Sequence, residues 1–201
     1  MVTTVLRLDS SLFGRQGAST QLNDQLIEHL KSQHENLHVI ERDLAAEHLP
    51  HFTADFVQAL GKAPDERTAD EAARVALADQ LIRELREADF VVVGAPMYNF
   101  SIPSTLKTWM DYVARAGDTF KYTSTGPVGL LSDTRVYINA SRGGLHKDQT
   151  TDNVVPLLTS FFSLLGLTDL TVIYAEGLNM GEENRSKAFA DARQIINSVA
   201  A

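Results

Sequence analysis

Apolar runs at residues 5–8, 37–40, 90–94, 136–140 and 170–174 alternate with stretches whose apolar side chains recur at helical spacing. No other feature of the chain restricts its fold so strongly. A run such as FVVVG at 90–94 has no polar face, so both of its sides must be covered, as in a strand inside a parallel sheet. Leu22, Leu26, Ile27 and Leu30 share one helical face behind a cap expected at Ser19 or Thr20. Residues 68–88, rich in Ala, Leu, Glu and Arg, predict a long helix, and Pro103 suits the first turn of another. Residues 154–165 and 182–199 predict two more, while Pro50, Gly61 and Pro64 predict an irregular, partly helical excursion over 43–66. Strands separated by helices imply a doubly wound parallel α/β sheet covered on both faces. Right-handed crossovers then bring the loops that follow the strands to one edge, where ligands bind in such sheets.

With 201 residues and no repeat or Pro/Ser-rich linker, the chain is expected to form one domain over 1–201. A net charge of −8 argues against wrapping a phosphate backbone, so no nucleic-acid partner is expected. There is no cysteine, which removes disulfides, thiolate catalysis and cysteine metal sites; no metal centre is expected. The N-terminus, MVTTVLRLDSS, enters strand-like sequence without a long apolar signal core. No apolar run approaches the roughly 18 residues that would span a bilayer. A cytoplasmic protein with no membrane association is the expectation.

Three loops follow strands of this one sheet. The first, DSSLFGRQGAST at 9–20, reaches a helix N-terminus through Gly17, Ala18 and Ser19, where free N–H groups and the helix dipole favour an anion, most readily a phosphate. It matches neither G-x-x-x-x-G-K-[ST] nor G-x-G-x-x-G, which argues against a Walker-type or a Rossmann site. The second supplies Met97, Tyr98, Asn99 and Phe100 behind the stiffening Pro96, a group suited to a flat conjugated ring with polar edges or to an apolar plug over the sheet. Trp109 and Tyr112, on the helix after it, read as packing residues. In the third, NASRGGLHKD at 139–148, Gly143 and Gly144 allow close backbone approach to a ring carbonyl or anion, and Arg142 adds charge. His146 reads as a solvent-facing loop residue. A phosphate pocket, a ring platform and a glycine clamp at one edge match the layout of a flavin mononucleotide.

APMYNF at 95–100, a helix carrying LKTW, and SRGGLHKD at 141–148 together resemble the FMN-dependent NADH:quinone reductases also described as azoreductases. The similarity runs from the first strand to the last helix and includes ARAGDTFKYTSTGPVGL at 114–130 and AEG at 175–177. The resemblance implies a flavodoxin-like three-layer α/β/α fold, with a five-stranded parallel sheet of order 2-1-3-4-5, working as a homodimer. It implies that Ser11, Gly17, Ala18 and Ser19 hold the FMN phosphate, with Ser10 an alternative to Ser11. Met97, Tyr98, Asn99 and Phe100 would hold the ribityl chain and one side of the ring, and Ser141, Arg142, Gly143 and Gly144 its polar edge. Phe120, Tyr122 and Phe162 would wall the substrate pocket, donated across the dimer. Many relatives carry Ser-x-Ser where this chain has Gly17-Ala18-Ser19, so one hydroxyl contact to the phosphate is missing.

The activity so implied is ping-pong transfer of hydride from NADH or NADPH through FMN to quinones, and to azo aromatics that are cleaved to amines. The flavin carries the chemistry, so no catalytic side chain is expected. Two rivals remain in the sequence. A flavodoxin-type electron carrier would bind the same flavin, but would not need the aromatic segment over 119–130. A serine hydrolase could use Ser10 in LDSSL, yet no histidine follows His146 to serve as its base.

Overall fold

The computed structural model describes residues 2–199 and carries the expected alternation of strands and helices. In chain order the elements are β1 (Thr3–Asp9), α1 (Ala18–Gln33), β2 (Leu37–Asp43), α2 (Ala54–Gly61) and α3 (Ala69–Glu87). Next come β3 (Phe90–Pro96), α4 (Ser104–Val113), β4 (Phe120–Thr123) and β5 (Gly126–Gly129). The chain closes with β6 (Arg135–Ser141), α5 (Val155–Leu165), β7 (Leu170–Ala175) and α6 (Glu182–Ser198). The main sheet runs β2-β1-β3-β6-β7, all parallel. Counted along its own strands, that is the expected order 2-1-3-4-5.

Strand periodicity sorts the side chains into two cores. Leu6, Leu8, Val91, Val93, Val136 and Ile138 face α2, α3, α4 and α5. Val5, Val92, Tyr137 and Ile173 face α1 and α6 through Leu22, Leu26, Leu30, Ala192 and Ile196. Every residue of β3 is buried, as expected for the central strand of a covered sheet. Trp109 and Tyr112 are packing residues: both are buried, and Tyr112 stacks on Phe56 at 4.9 Å, tying α4 to α2. Thr68 caps α3, its hydroxyl accepting from the Glu71 N–H while the Glu71 carboxylate accepts from the Thr68 N–H. Such a capping box stabilises a helix by about 1 kcal/mol.

Two local features differ from the sequence reading. The helix after β1 starts at Ala18 with Gly17 as its cap, so Ser19 and Thr20 lie inside the first turn and do not cap it. Residues 120–129 form an antiparallel hairpin, β4 with β5, that stands outside the main sheet. Gly166 ends α5 at φ 97, a backbone state that glycine adopts without strain. β5 docks against that turn, and the Leu131 N–H donates to the Leu165 carbonyl at 3.0 Å.

Candidate functional site

The loops after β1, β3, β6 and β7 meet at the carboxyl edge of the sheet. In the first, the two serines part ways. Ser10 is fully buried and its Oγ donates to the Gly94 carbonyl at 2.7 Å. It is neither exposed nor paired with a histidine, which removes the nucleophile of the hydrolase reading. Ser11 borders the cleft: its Oγ accepts from the Phe13 N–H at 3.2 Å and lies 3.3 Å from the Tyr98 hydroxyl. A Cβ on Gly17 would meet Ser11 Oγ at 2.1 Å, so the close approach of these two residues requires glycine at 17.

The first turn of α1 is left open. Its first backbone bond runs from the Gln21 N–H to the Gly17 carbonyl, leaving the N–H groups of Ala18, Ser19 and Thr20 without acceptors among the described residues. No side chain caps it and no acidic residue stands in its first turn, whereas α2, α3 and α6 all carry acids there. Ser19 Oγ is buried with no partner. Unpaired N–H groups, an unanswered dipole and an orphaned hydroxyl are what a bound phosphate satisfies.

The second loop holds its aromatics in a strained turn. The N–H and carbonyl of Tyr98 pair with those of Ser101 at 2.9 and 3.1 Å, and between them Asn99 and Phe100 both take positive φ, 49° and 67°. For a side chain such as Phe100 the left-handed state costs about 1–2 kcal/mol. Strain of this kind persists where function requires the conformation. The Phe100 ring is 54% exposed and meets His146 edge-on at 5.8 Å. His146 is half-buried, against the expectation of a solvent-facing residue, with its Nδ1 2.9 Å from the Thr151 hydroxyl.

The third loop is used from one side only. The carbonyls of Arg142, Gly143 and Gly144 accept from the N–H groups of Leu178, Asn179 and Gly177 at 3.1, 3.0 and 2.8 Å. The N–H groups of Gly143 and Gly144 have no acceptor among the described residues. The loop after β7 thus holds the carbonyls back and leaves donors for a ligand. Arg142 departs from expectation. Its side chain is wholly buried and clamped by Asp152, at 2.9 Å to each carboxylate oxygen, and by Glu176 at 3.2 Å. Its charge is spent inside the protein, and it shapes the loop instead of lending the cleft a free cation. The same Glu176 oxygen accepts from the His146 and Lys147 N–H groups, both at 2.7 Å.

A polar tie beneath these loops escaped the sequence reading. Asn139 Nδ2 donates to Asn23 Oδ1 at 2.7 Å, and Asn23 Nδ2 donates to Asp9 Oδ1 at 2.8 Å and the Leu8 carbonyl at 3.1 Å. It joins the ends of β1 and β6 through α1. Burial raises the Asp9 carboxyl above its ordinary range, against the opposing pull of Arg7. The available signal was Asn23 standing inside the apolar stripe of Leu22, Leu26 and Ile27.

The cleft has a volume of about 250 Å³, bordered by Ser11, Gly17, Ala18, Met97, Tyr98, Ser141, Gly143 and Arg185 among others. A larger groove of about 500 Å³ lies beside β2, but Asp9, Asp24, Glu28, Glu41 and Asp43 line it, and they outnumber Arg7, Arg15 and Lys31, of which Arg7 and Lys31 are already paired with them. Of the expected substrate residues, none borders the cleft of its own chain. Phe162 is fully buried in the core behind Phe161, because its place on α5 turns inward. Phe120 is buried at the hairpin base, and Tyr122 stands 75% exposed on the hairpin, edge-on to Phe120. Among the described residues no helix is long and apolar enough to cross a membrane, and no three acidic or histidine side chains gather as metal ligands.

Residues 3–199 match the family model described as a flavodoxin-like fold. An FMN-dependent NADH:quinone oxidoreductase of Cellvibrio japonicus is 49% identical over 195 residues, spanning 97% of either chain. One of Saccharophagus degradans is 45% identical over 203 residues, covering 97% of this chain and 92% of its own. The crystal structure of an azoreductase from Bacillus anthracis superposes with a TM-score of 0.87 at 33% identity, over 98% of this chain and 100% of that one.

Proposed function

The chain belongs to the family of FMN-dependent NADH:quinone oxidoreductases with a flavodoxin-like fold, and on that premise we propose that it uses FMN to pass electrons from a reduced nicotinamide to quinones and to aromatic azo compounds. The observation that carries this reading is the set of unanswered donors at one edge: the first N–H groups of α1, the buried Ser19 hydroxyl, and the N–H groups of Gly143 and Gly144.

Bound there, FMN would supply two-electron chemistry between the reduced nicotinamide and the acceptor. The chain's part is to hold and screen. The α1 N-terminus and Ser19 would hold the phosphate, with Ser11 beside it. Met97, Tyr98, Asn99 and Phe100 would hold the ribityl chain and pack on one side of the ring. The donors of Gly143 and Gly144, with Ser141, would bond its polar edge, and Arg142 would act by fixing the shape of that loop. NADH or NADPH and the acceptor take turns at the remaining open face, so ping-pong kinetics are expected. A quinone consumes one two-electron cycle, and an azo bond consumes two before it becomes two amines. Tyr122, with Phe120 buried behind it, would wall that face for a second copy of the chain in a homodimer, since it lies away from the cleft of its own. The whole chain would act as one cytoplasmic domain.

The test is an anaerobic absorbance spectrum of the protein with FMN, before and after NADH. Loss of the oxidised band on adding NADH, and its return with a quinone, is the expected result. Flavin binding without reduction would point to an electron carrier instead, and no flavin binding would overturn the reading.

A further inference from the structure

The cleft is an electrostatic exception within an acidic protein. The chain has 26 acidic side chains against 18 lysines and arginines, yet not one carboxylate borders the cleft. Two cations do, Arg142 and Arg185. Arg142 is cancelled by Asp152 and Glu176. Arg185, in the first turns of α6, meets no carboxylate among the described residues. Its guanidinium lies over the face of Phe189, 5.3 Å from the ring centre, which orients the group without reducing its charge.

Its position is set by the packing of α6 beside α1 on one face of the sheet, where the two helices share the second core. Both helices start at the carboxyl edge, so a side chain one turn into α6 reaches the cleft together with Gln16, Gly17 and Ala18. The cation therefore borders the same cleft as the start of α1, which presents its unpaired N–H groups. A guanidinium with free donors matches a phosphate in shape as well as in charge.

We propose that Arg185 is the counter-charge for the phosphate monoester of the bound mononucleotide, completing from α6 a site whose other half is the N-terminus of α1. The inference rests on the FMN-binding reading above, and it gives that site selectivity for phosphorylated over unphosphorylated flavin. It also offsets the hydroxyl that Gly17 lacks, because a cation from the neighbouring helix supplies attraction of its own.

The experiment compares dissociation constants of FMN and of riboflavin, which has no phosphate, by flavin fluorescence for the wild type, Arg185→Gln and Arg185→Lys, with thermal midpoints as a check on folding. Arg185→Gln is expected to weaken FMN about tenfold, ~1.4 kcal/mol, and to leave riboflavin unchanged. Arg185→Lys, which keeps the charge, is expected to recover most of that loss, and added salt to weaken FMN less in Arg185→Gln than in the wild type. Equal FMN affinity in wild type and Arg185→Gln would overturn the proposal, as would equal weakening of FMN and riboflavin, which would mark a structural role. A wild type that binds riboflavin as tightly as FMN would overturn it too, while leaving flavin binding intact. A wild type that binds neither flavin would remove the functional reading and this inference with it.

Discussion

The cofactor cleft and the β4–β5 hairpin are built by different means. The cleft is assembled largely from backbone: strand ends in fixed register, a helix start, and one glycine turn whose carbonyls are occupied and whose N–H groups are left over. The hairpin is a short antiparallel ladder, docked on the end of α5 by the close approach of Gly129 to Gly166 and by the Leu131–Leu165 backbone bond. Its most exposed aromatic, Tyr122, presents its ring to solvent beside Phe120. A backbone site tolerates surface change but fails when its loops lose their shape, whereas a side-chain wall can be altered without disturbing the fold. On the proposed function, the cleft would recognise a fixed cofactor and the hairpin would meet variable acceptors.

Four substitutions would break or sharpen that contrast, taken from the largest expected effect to the smallest. Arg142→Met leaves Asp152 and Glu176 without their cation and should cost about 3–5 kcal/mol in urea unfolding, with FMN binding lost in step. A loss of less than 1 kcal/mol would mean that the buried ion cluster does not shape the third loop. Gly129→Ala drives a Cβ to 2.1 Å from the Gly166 nitrogen, a backbone contact that cannot give way. It should cost about 3 kcal/mol by thermal unfolding, while the folded fraction keeps its FMN affinity. Weaker FMN binding in that variant would show that hairpin and cleft are one unit.

Gly17→Ala presses on Ser11 and should lower FMN affinity about tenfold, with about 1–2 kcal/mol lost in stability. Retained affinity would mean that the first loop can open without consequence. Tyr122→Ala removes an exposed ring, so stability should move by no more than about 0.5 kcal/mol. FMN affinity should hold and the KM for a quinone should rise severalfold. An unchanged KM would take Tyr122 out of the acceptor site.

What could be read from the sequence follows the same division. The parallel strands and the three loops were legible because a buried parallel strand has to be apolar on both sides, and because topology carries the loop after each strand to one edge; the strand order followed from the family resemblance. Phe162 was expected at the substrate pocket, whereas it and Phe161 both pack in the core, and the apolar run VPLLTSFFSLL does not distinguish a core face from a pocket wall. Arg142 was recognised as part of the third loop, but its charge was assigned to the cleft, since its partners lie 10 and 34 residues away. Arg185 went unnoticed for the converse reason. On a helix of mixed charge it reads as an ordinary surface cation, and only the packing of α6 against α1 brings it to the cleft.

The central claim is that one edge of the sheet, through backbone donors, holds the flavin. An amide-resolved NMR titration of the protein with FMN tests it directly. The account predicts saturating shifts at the N–H groups of Ala18, Ser19, Thr20, Gly143 and Gly144 at one equivalent, with the groove beside β2 silent. Shifts centred on Arg7, Asp24 and Glu41, or none at the α1 N-terminus, would contradict it.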